Sequence, residues 1–584
     1  MRRLTMQLIA TLFWLSAATA RADDWKPAAA PLMTRWAKDV SPQNALPEYP
    51  RPQMVRKDWL SLNGLWDIKL VDDANVEAAD TKILVPFPIE SALSGVMKHS
   101  DHMTYRRSFD VPAAWHGRHV LLHFGAVDWE ATVLLNGMKL GTHRGGYDGF
   151  SFDITAALKP AGPQEIIVEV FDPTDKGSQP RGKQVIHPGG IMYTPTSGIW
   201  QTVWLEPVAE KHIVSLGLVP DVDGGALDLT LGMSVPEDLT VEAIASDRGK
   251  QVSRVTGPSG TKLKLAVPNA KLWTPDSPHL YDLRISLKSG GQTVDEVTSY
   301  FGMRKIAIGK DQRGVARMML NGKFVFQVGP LDQGFWPDGI YTAPTDEALR
   351  WDIEMMKKLG FNCARKHVKV EPDRWYYWCD KLGLLVWQDM PAGDNKTPDS
   401  KKQFEVELRR LIAGRRDHPA IIMWVVFNEG WGQHDTEHLV NLVKELDPSR
   451  LVDNASGWTD KHCGDVVDMH NYPGPGSPKP EENRAAVLGE FGGLGLPVDG
   501  HTWSKKTWGY KGTQNIDDLT RGYEKLLTKA WALKDDPGLS ACIYTQLTDV
   551  ETECNGLLTY DREINKVIPD RAAAVDSGHL LRLR

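Results

Sequence analysis

Ile421-Ile-Met-Trp-Val-Val-Phe-Asn428-Glu429-Gly-Trp431 decides how this chain is read. Seven apolar residues, Ile421 to Phe427, are enough for a strand buried on both faces, and the run stops at once in Asn428 and Glu429. A parallel strand inside a barrel reads as such an unbroken apolar run, and functional groups sit where the strands emerge. A carboxylate placed there loses solvation, which costs free energy unless a partner or a task compensates it. The other reading of Glu429 is a cap on the helix that follows. A second apolar run, Ala486-Val-Leu-Gly-Glu490-Phe-Gly-Gly, ends in the same manner.

Outward from this stretch, residues 303–584 alternate short apolar runs with amphipathic periodicity, the pattern of parallel βα units. Strands are expected near 324–329, 361–366, 384–389, 421–428, 451–454, 466–470, 486–490 and 540–546. Helices are expected near 345–359, 372–382, 401–416, 435–446 and 516–534, the first opened by Thr345-Asp-Glu. Eight strands in about 280 residues is the size of one (β/α)8 TIM barrel. On this count Glu429 ends strand four and Glu490 ends strand seven.

Upstream the texture is different. Residues 23–209 carry short runs such as Gly64-Leu-Trp-Asp-Ile-Lys and Ala131-Thr-Val-Leu-Leu-Asn-Gly137, separated by Gly, Pro and Asp turns. This spacing predicts a sandwich of two antiparallel sheets, with Asn136-Gly137 as a hairpin turn. Residues 210–302 predict one smaller, immunoglobulin-like β-sandwich. The fold class is therefore multidomain, β followed by α/β.

Apolar residues are 41% of the chain and charged residues 24%, an ordinary globular composition. A net charge of −7 leaves no basic excess for a nucleic-acid partner. Residues 1–22 have the form of a signal peptide: Arg2 and Arg3, an apolar core from Leu8 to Leu15, then Ala18-Thr-Ala20-Arg-Ala22. Export to the periplasm or beyond the cell is expected, without membrane insertion, because no later stretch offers about 18 consecutive apolar residues. Five cysteines are too few and too scattered for a disulfide framework. His434 and His438 lie four apart on an expected helix, but no third ligand completes a metal pattern, so neither metal nor cofactor is expected.

The order of the three regions, with the motifs in them, resembles glycoside hydrolase family 2. Leu62-Asn-Gly-Leu-Trp66 looks like the opening of that family's sugar-binding jelly-roll domain, and Ser197-Gly-Ile-Trp200-Gln like its close. Phe301-Gly-Met-Arg304 looks like the family's passage into the barrel. Asp417-His-Pro-Ala-Ile-Ile-Met-Trp-Val-Val-Phe-Asn428-Glu429 is similar to its acid/base signature. The resemblance implies an exported retaining exo-glycosidase on oligosaccharide or polysaccharide-derived glycosides, most simply a β-galactosidase. Other sugars (α-L-arabinoside, β-mannoside, β-glucuronide), or a barrel that only binds glycans, are the alternatives. Oligomers are compatible with it.

In this resemblance Glu429 is the acid/base, Asn428 bonds the sugar 2-hydroxyl, Glu490 is the nucleophile, and Tyr472 in His470-Asn-Tyr-Pro stands beside it. The chemistry asks for the same pair: an acid that protonates the leaving oxygen, and a second carboxylate that traps oxocarbenium character. Further candidates at strand ends are Asp332, Trp336, Arg365, His367, Asp389, Trp431 and Asp549. For most of these a structural ion pair or cap is the competing role. Four departures from the family pattern stand out. Strand one ends in Leu331-Asp332-Gln333, and Arg365-Lys366-His367 is one residue shorter than usual. Thr545 holds the register of a customary Trp. The Asn-x-Lys of glucuronidases is absent from Glu553-Cys-Asn-Gly556.

Overall fold

The computed structural model describes residues 25–71, 81–235 and 239–579. The expected signal peptide lies outside the described residues. In the first region, alternation of apolar and polar residues builds the sheets: Gly64–Val71 alternates buried and half-buried positions along its length. A four-stranded antiparallel sheet runs in the order Leu60–Ser61, Val203–Val208, His119–Phe124, Phe150–Asp153. It packs on a six-stranded one in the order Thr81–Val85, Gly64–Val71, His102–Phe109, Gln164–Phe171, Glu130–Leu135, Met138–Arg144. Trp66, Tyr105, Val133 and Val168 meet Leu122, Phe124 and Leu205 in the shared core. Asn136 and Gly137 both take positive φ, +52° and +83°, and turn the last hairpin.

The β region starts later than the sequence reading puts it. Among the described residues its first strand opens at Leu60, and of the residues 25–59 before it the stretch from Leu32 to Trp36 straps onto the barrel. Leu32 and Trp36 belong to the barrel core, where Trp36 meets Trp336 and Trp351 with ring centroids 6.0 and 5.5 Å apart. Thr34 donates to Asp338 Oδ2 through its N–H at 2.8 Å and its hydroxyl at 2.6 Å. Turn punctuation alone does not separate such a strap from a strand.

The middle sandwich has a three-stranded sheet (Ile213–Asp221, Ala226–Met233, Leu263–Ala266) and a four-stranded one (Lys250–Pro258, Thr240–Asp247, Tyr281–Ser289, Gln292–Phe301). Leu229, Val241, Ile285 and Val297 fill the space between them.

The third region holds eight parallel strands: β1 (Gln327–Asp332), β2 (Cys363–Lys366), β3 (Leu385–Asp389), β4 (Ile421–Val425), β5 (Leu451–Asp453), β6 (Val466–Asn471), β7 (Ala485–Gly492) and β8 (Ala541–Thr545). They pair in the order β5-β4-β3-β2-β1-β8-β7-β6. Between β5 and β6 there is no ladder, but Asp465 donates to the Val452 carbonyl at 2.8 Å across the gap, so the barrel is nearly closed. Among the described residues six helices accompany the strands: α1 (Asp346–Lys358), α2 (Asp373–Leu382), α3 (Pro398–Arg415), α4 (Thr436–Leu446), α5 (Ile516–Asp535) and α6 (Pro569–Asp576). The last has eight residues and escapes a reading by periodicity. Among the described residues no helix follows β5 or β6. A small antiparallel sheet (Ile306–Lys310, Ala316–Leu320, Lys323–Phe324) packs against β5 and β7 instead. Buried Arg304 ties the base of the barrel to the chain entering it, donating to the carbonyls of Pro419, Ile421 and Ser449 at 2.8–3.0 Å.

Candidate active site

β4 stops at Val425, and Val426 to Glu429 continue towards the barrel mouth. Asn428 bridges to Ser456 beyond β5, and Glu429 N–H donates to the Ser456 carbonyl at 2.9 Å. Glu429 then adopts φ +52°, a left-handed backbone that a residue with a Cβ rarely takes. The turn throws its carboxylate over the mouth, and Gly457 makes room for it. A Cβ at Gly457 would stand 3.4 Å from Glu429 Cγ and 3.3 Å from His470 Nδ1.

The two carboxylates come together above the barrel. Glu429, Glu490 and His470 each bring a donor atom within 4.8 Å of the others. Glu490, on β7, accepts Arg365 Nη1 on Oε1 at 3.1 Å and the Tyr472 hydroxyl on Oε2 at 2.6 Å. Burial works against its charge. The surrounding basic groups, His470 first and then His367, Arg365 and Lys183, outweigh burial and hold Glu490 well below the usual carboxylate range. The site thus favours the ionised form of a buried carboxylate.

Glu429 has a different partner. His470 Nδ1 lies 2.8 Å from Glu429 Oε1, so a single proton sits between the two. His470 Nε2 lies 2.7 Å from Ser456 Oγ, and Ser456 donates to Asp468 Oδ2 at 2.6 Å. With its own proton given to Asp468, Ser456 accepts from Nε2–H, which fixes the tautomer and leaves Nδ1 facing Glu429. Burial opposes the imidazolium, but Glu490, Glu429 and Asp468 together raise the His470 pKa above its ordinary value.

Arg365, fully buried on β2, orders the rest. Its guanidinium donates to both oxygens of Asp389 on β3 (3.0 and 2.9 Å), to Glu490, to the Gly489 carbonyl (3.2 Å) and to Asn428 Oδ1 (2.9 Å). Since Asn428 spends its oxygen on Arg365, its amide nitrogen is fixed in direction, and Nδ2 is buried without a partner. A buried donor in that condition is costly unless a ligand accepts from it. His367 Nδ1 lies 3.0 Å from Asp389 Oδ2, and burial holds this imidazole well below its usual pKa, hence neutral. Trp431 is half-buried in the turn after Glu429, its N–H on the Asn428 carbonyl at 2.9 Å.

Three candidate residues are not brought to this group. Asp332 ends β1, but its carboxylate takes Lys366 Nζ at 2.6 Å and the Gly334 N–H at 2.9 Å. Trp336 is fully buried with the Arg562 guanidinium 3.9 Å from its ring centroid, so it offers a sugar no face. Asp549 pairs with buried Lys566 Nζ at 2.5 Å and with the Gly556 N–H at 2.8 Å. All three serve as structural ion pairs or packing. His434 and His438 likewise turn to the Gly432 carbonyl and to Glu405.

Other residues enter the site with no warning in the sequence, apart from Thr545, which reads there only as the replacement of a customary Trp. The Thr545 hydroxyl holds Tyr472 at 2.6 Å, and the Tyr510 ring stacks on Tyr472 at 4.0 Å. Trp458, 67% exposed, stands edge-on to His470 at 5.7 Å. Lys183 reaches the site from the first domain. A separate cavity of about 430 Å³ lies in the seam between the sandwich and the barrel and is lined by neither carboxylate.

Comparison with known proteins agrees with this layout. The family model described as the glycosyl hydrolase family 2 TIM barrel domain matches residues 341–482. The model named for glycosyl hydrolases family 2 matches 212–304, and the family's galactose-binding-like domain matches 88–198. Together they take in more than half of the chain. A β-galactosidase of Thermoanaerobacter pseudethanolicus is 28% identical over 59% of this chain and 47% of its own. A β-glucuronidase of Paenibacillus borealis is 24% identical over 69% of this chain and 74% of its own. The chain spans about half the length of the curated relatives it matches. A solved β-glucuronidase of Ruminococcus gnavus, in complex with an N1-substituted uronic isofagomine, superposes with TM-score 0.74 at 20% identity, over 92% of this chain and 99% of that one. With a sugar-binding domain, a β-sandwich and a TIM barrel each matched in order, the chain belongs to glycoside hydrolase family 2.

Proposed function

We propose that this protein is an exported, retaining exo-glycosidase in which Glu490 is the nucleophile and Glu429 the acid/base. The observation that carries this reading is the unequal treatment of two carboxylates within 4.8 Å of each other. One is ionised among cations, and the other shares a proton with an imidazole. Carboxyl groups about 5–5.5 Å apart belong to retaining enzymes, since inversion needs room for a water between them.

The geometry supports an order of events. The sugar enters with its 2-hydroxyl on the unpaired Asn428 Nδ2. Glu490 attacks the anomeric carbon while Glu429 delivers its proton to the departing oxygen, and a glycosyl ester forms on Glu490. Arg365 and Tyr472 hold Glu490 in line and keep it unprotonated. Water then replaces the departed group, Glu429 takes its proton with His470 as the reservoir, and the ester opens with the configuration kept. The segment of the first domain over the mouth supports a pocket that accepts a chain end, hence exo action.

A β-galactoside is the simplest substrate, and a β-glucuronide is favoured by the names of several relatives. The experiment is a panel of aryl β-glycosides, with the anomer of the first-formed sugar followed by proton NMR. Release of the β-anomer from one member is the expected result. An α-anomer first, or turnover of none, contradicts the reading, and binding without turnover would leave a glycan-binding protein.

A further inference from the structure

We propose that Lys183, a residue of the sugar-binding domain, is a specificity-determining contact in the pocket of Glu429 and Glu490, where its ammonium pairs with the carboxylate of an acidic (uronic-type) sugar unit. This rests on the glycosidase reading above.

The backbone around Lys183 is fixed across the mouth of the barrel. On one side Arg181 and Gly182 N–H donate to the Ala392 carbonyl beyond β3 at 2.8 and 2.9 Å, and Arg181 Nη2 donates to Asp394 at 2.9 Å. On the other, Thr194 N–H donates to Glu551 at 2.8 Å and Trp508 Nε1 to the Gly190 carbonyl at 3.1 Å. Gly182 has φ +62°, and a Cβ there would stand 2.5 Å from the Val368 carbonyl. Only glycine lets the chain pass so close over the end of β2.

Thus placed, Lys183 is 5% exposed, yet its ammonium makes no hydrogen bond or ion pair among the described residues. Its nearest aromatic neighbour is Tyr193, with the ring centroid 5.5 Å away. The acidic groups close enough to act on it are Glu553, Glu490 and Glu429, with Arg365 opposing. Each of those acids is already engaged: Glu553 by the Tyr193 hydroxyl and by Asn555 at 2.9 Å, Glu490 by Arg365 and Tyr472, Glu429 by His470. Burial pulls the Lys183 ammonium below the usual lysine pKa. A buried cation left unpaired in this way is costly, and a carboxylate is the group that best compensates it. A neutral hydroxyl would leave most of that cost standing. A sugar with its anomeric carbon at Glu490 and its 2-hydroxyl at Asn428 leaves its 3- and 4-hydroxyls and its C5 substituent for the rest of the pocket, and of these only a C5 carboxylate carries a charge that compensates Lys183.

The test uses p-nitrophenyl β-glycosides paired so that only the group on C5 differs: glucuronide against glucoside, and galacturonide against galactoside. The wild-type enzyme should prefer the acidic member of one pair. Lys183→Met should lower kcat/KM for that uronide by about 30-fold or more, chiefly through KM, because truncating one side of a buried charge pair costs at least that factor. The matched neutral glycoside should hardly change. Lys183→Arg should restore part of the uronide activity, and circular dichroism should show both variants folded. Equal losses on both members, or a wild-type preference for the neutral one, would overturn the proposal while leaving the glycosidase reading intact. If no glycoside is turned over, that reading fails instead. Calorimetric titration with free glucuronate and galacturonate then decides on Lys183: uronate binding lost in Lys183→Met supports it, and no uronate binding by the wild type overturns it.

Discussion

The mouth of the barrel has two unlike halves. β2, β3, β4, β6 and β7 send Arg365, Asp389, Asn428, Glu429, His470 and Glu490 into one hydrogen-bonded group. β1 and β8 also end in or near acidic residues, but Asp332 goes to Lys366 and Asp549 to Lys566, both fully buried pairs. The sequence treats these positions alike, as polar residues after buried strands. What distinguishes them is supply of counter-charge: on the β1/β8 side a local lysine neutralises each acid, and on the other side one arginine must serve Asp389, Glu490 and Asn428 at once. Charge that is locally neutralised holds the fold together. Charge that is shared leaves a carboxylate ionised and an amide unpaired, which is what a reaction can use. The first-domain segment around Lys183 spans both halves, held at Ala392 beyond β3 and at Glu551 beyond β8.

Substitutions on each side sharpen the contrast. The largest effect is expected for Glu429→Ala. Glycosides with poor leaving groups should lose about 10²–10⁴-fold in kcat/KM, the usual worth of a positioned acid. Activated aryl glycosides should lose far less in the first step, and azide should restore turnover. Equal loss on all substrates without azide rescue would contradict the role.

Next comes Arg365→Lys, which keeps a charge but not the fork that reaches Asp389, Glu490, Gly489 and Asn428. A misplaced constellation should cost about 10²-fold in kcat. Its pH profile carries the finer test. Glu490 has a depressed pKa, so activity that needs its charge is present at higher pH and fails as pH falls through that value. Weakening Arg365 lets the value rise, so the acid limb should move to higher pH. The alkaline limb follows the His470 imidazolium, whose raised pKa means that its proton is lost as pH rises through it. Arg365, 3.4 Å from Nε2, opposes that charge, so weakening it should not move this limb to lower pH. An acid limb that stays in place, or an alkaline limb that moves down, would contradict this tuning.

The smallest catalytic effect is expected on the other side, from Asp549→Asn. It strips the carboxylate from buried Lys566, whose remaining partners are the carbonyls of Leu496 and Cys554. Breaking such a pair costs about 3–5 kcal/mol of stability. Denaturant unfolding should register that loss while kcat/KM stays as it was. A change in kcat/KM without loss of stability would move Asp549 into the site.

Much of this was legible in the sequence, because it rests on period and on strand ends. The unbroken apolar run before Asn428 and the one before Glu490 mark barrel strands, and alternation marks the sandwiches. What stayed hidden depends on contacts distant in the chain. The strap of residues before Leu60 looks like loop and β punctuation until Trp36 is seen in the barrel core. Ser456, Asp468 and Tyr510 bear no motif, and their roles come from the tautomer or ring they hold in place. Trp336 reads as a substrate-binding candidate after a strand and is packed under Arg562 instead. Lys183, in Arg181-Gly-Lys-Gln, gives no sign that a sandwich loop will reach a barrel. Strand-end logic finds candidates, and only counter-charge sorts them.

The most direct measurement is to inactivate the enzyme with a 2-deoxy-2-fluoro glycoside of the sugar it accepts and to map the added mass by peptide sequencing. The fluorine slows both formation and opening of the ester, and an activated leaving group on the reagent restores formation, so the covalent intermediate accumulates. The account predicts one equivalent of glycosyl mass, carried on Glu490 in the peptide Val487-Leu-Gly-Glu-Phe-Gly-Gly. No covalent adduct with a sugar that is turned over, or an adduct on Glu429, Asp549 or Glu551, would contradict it.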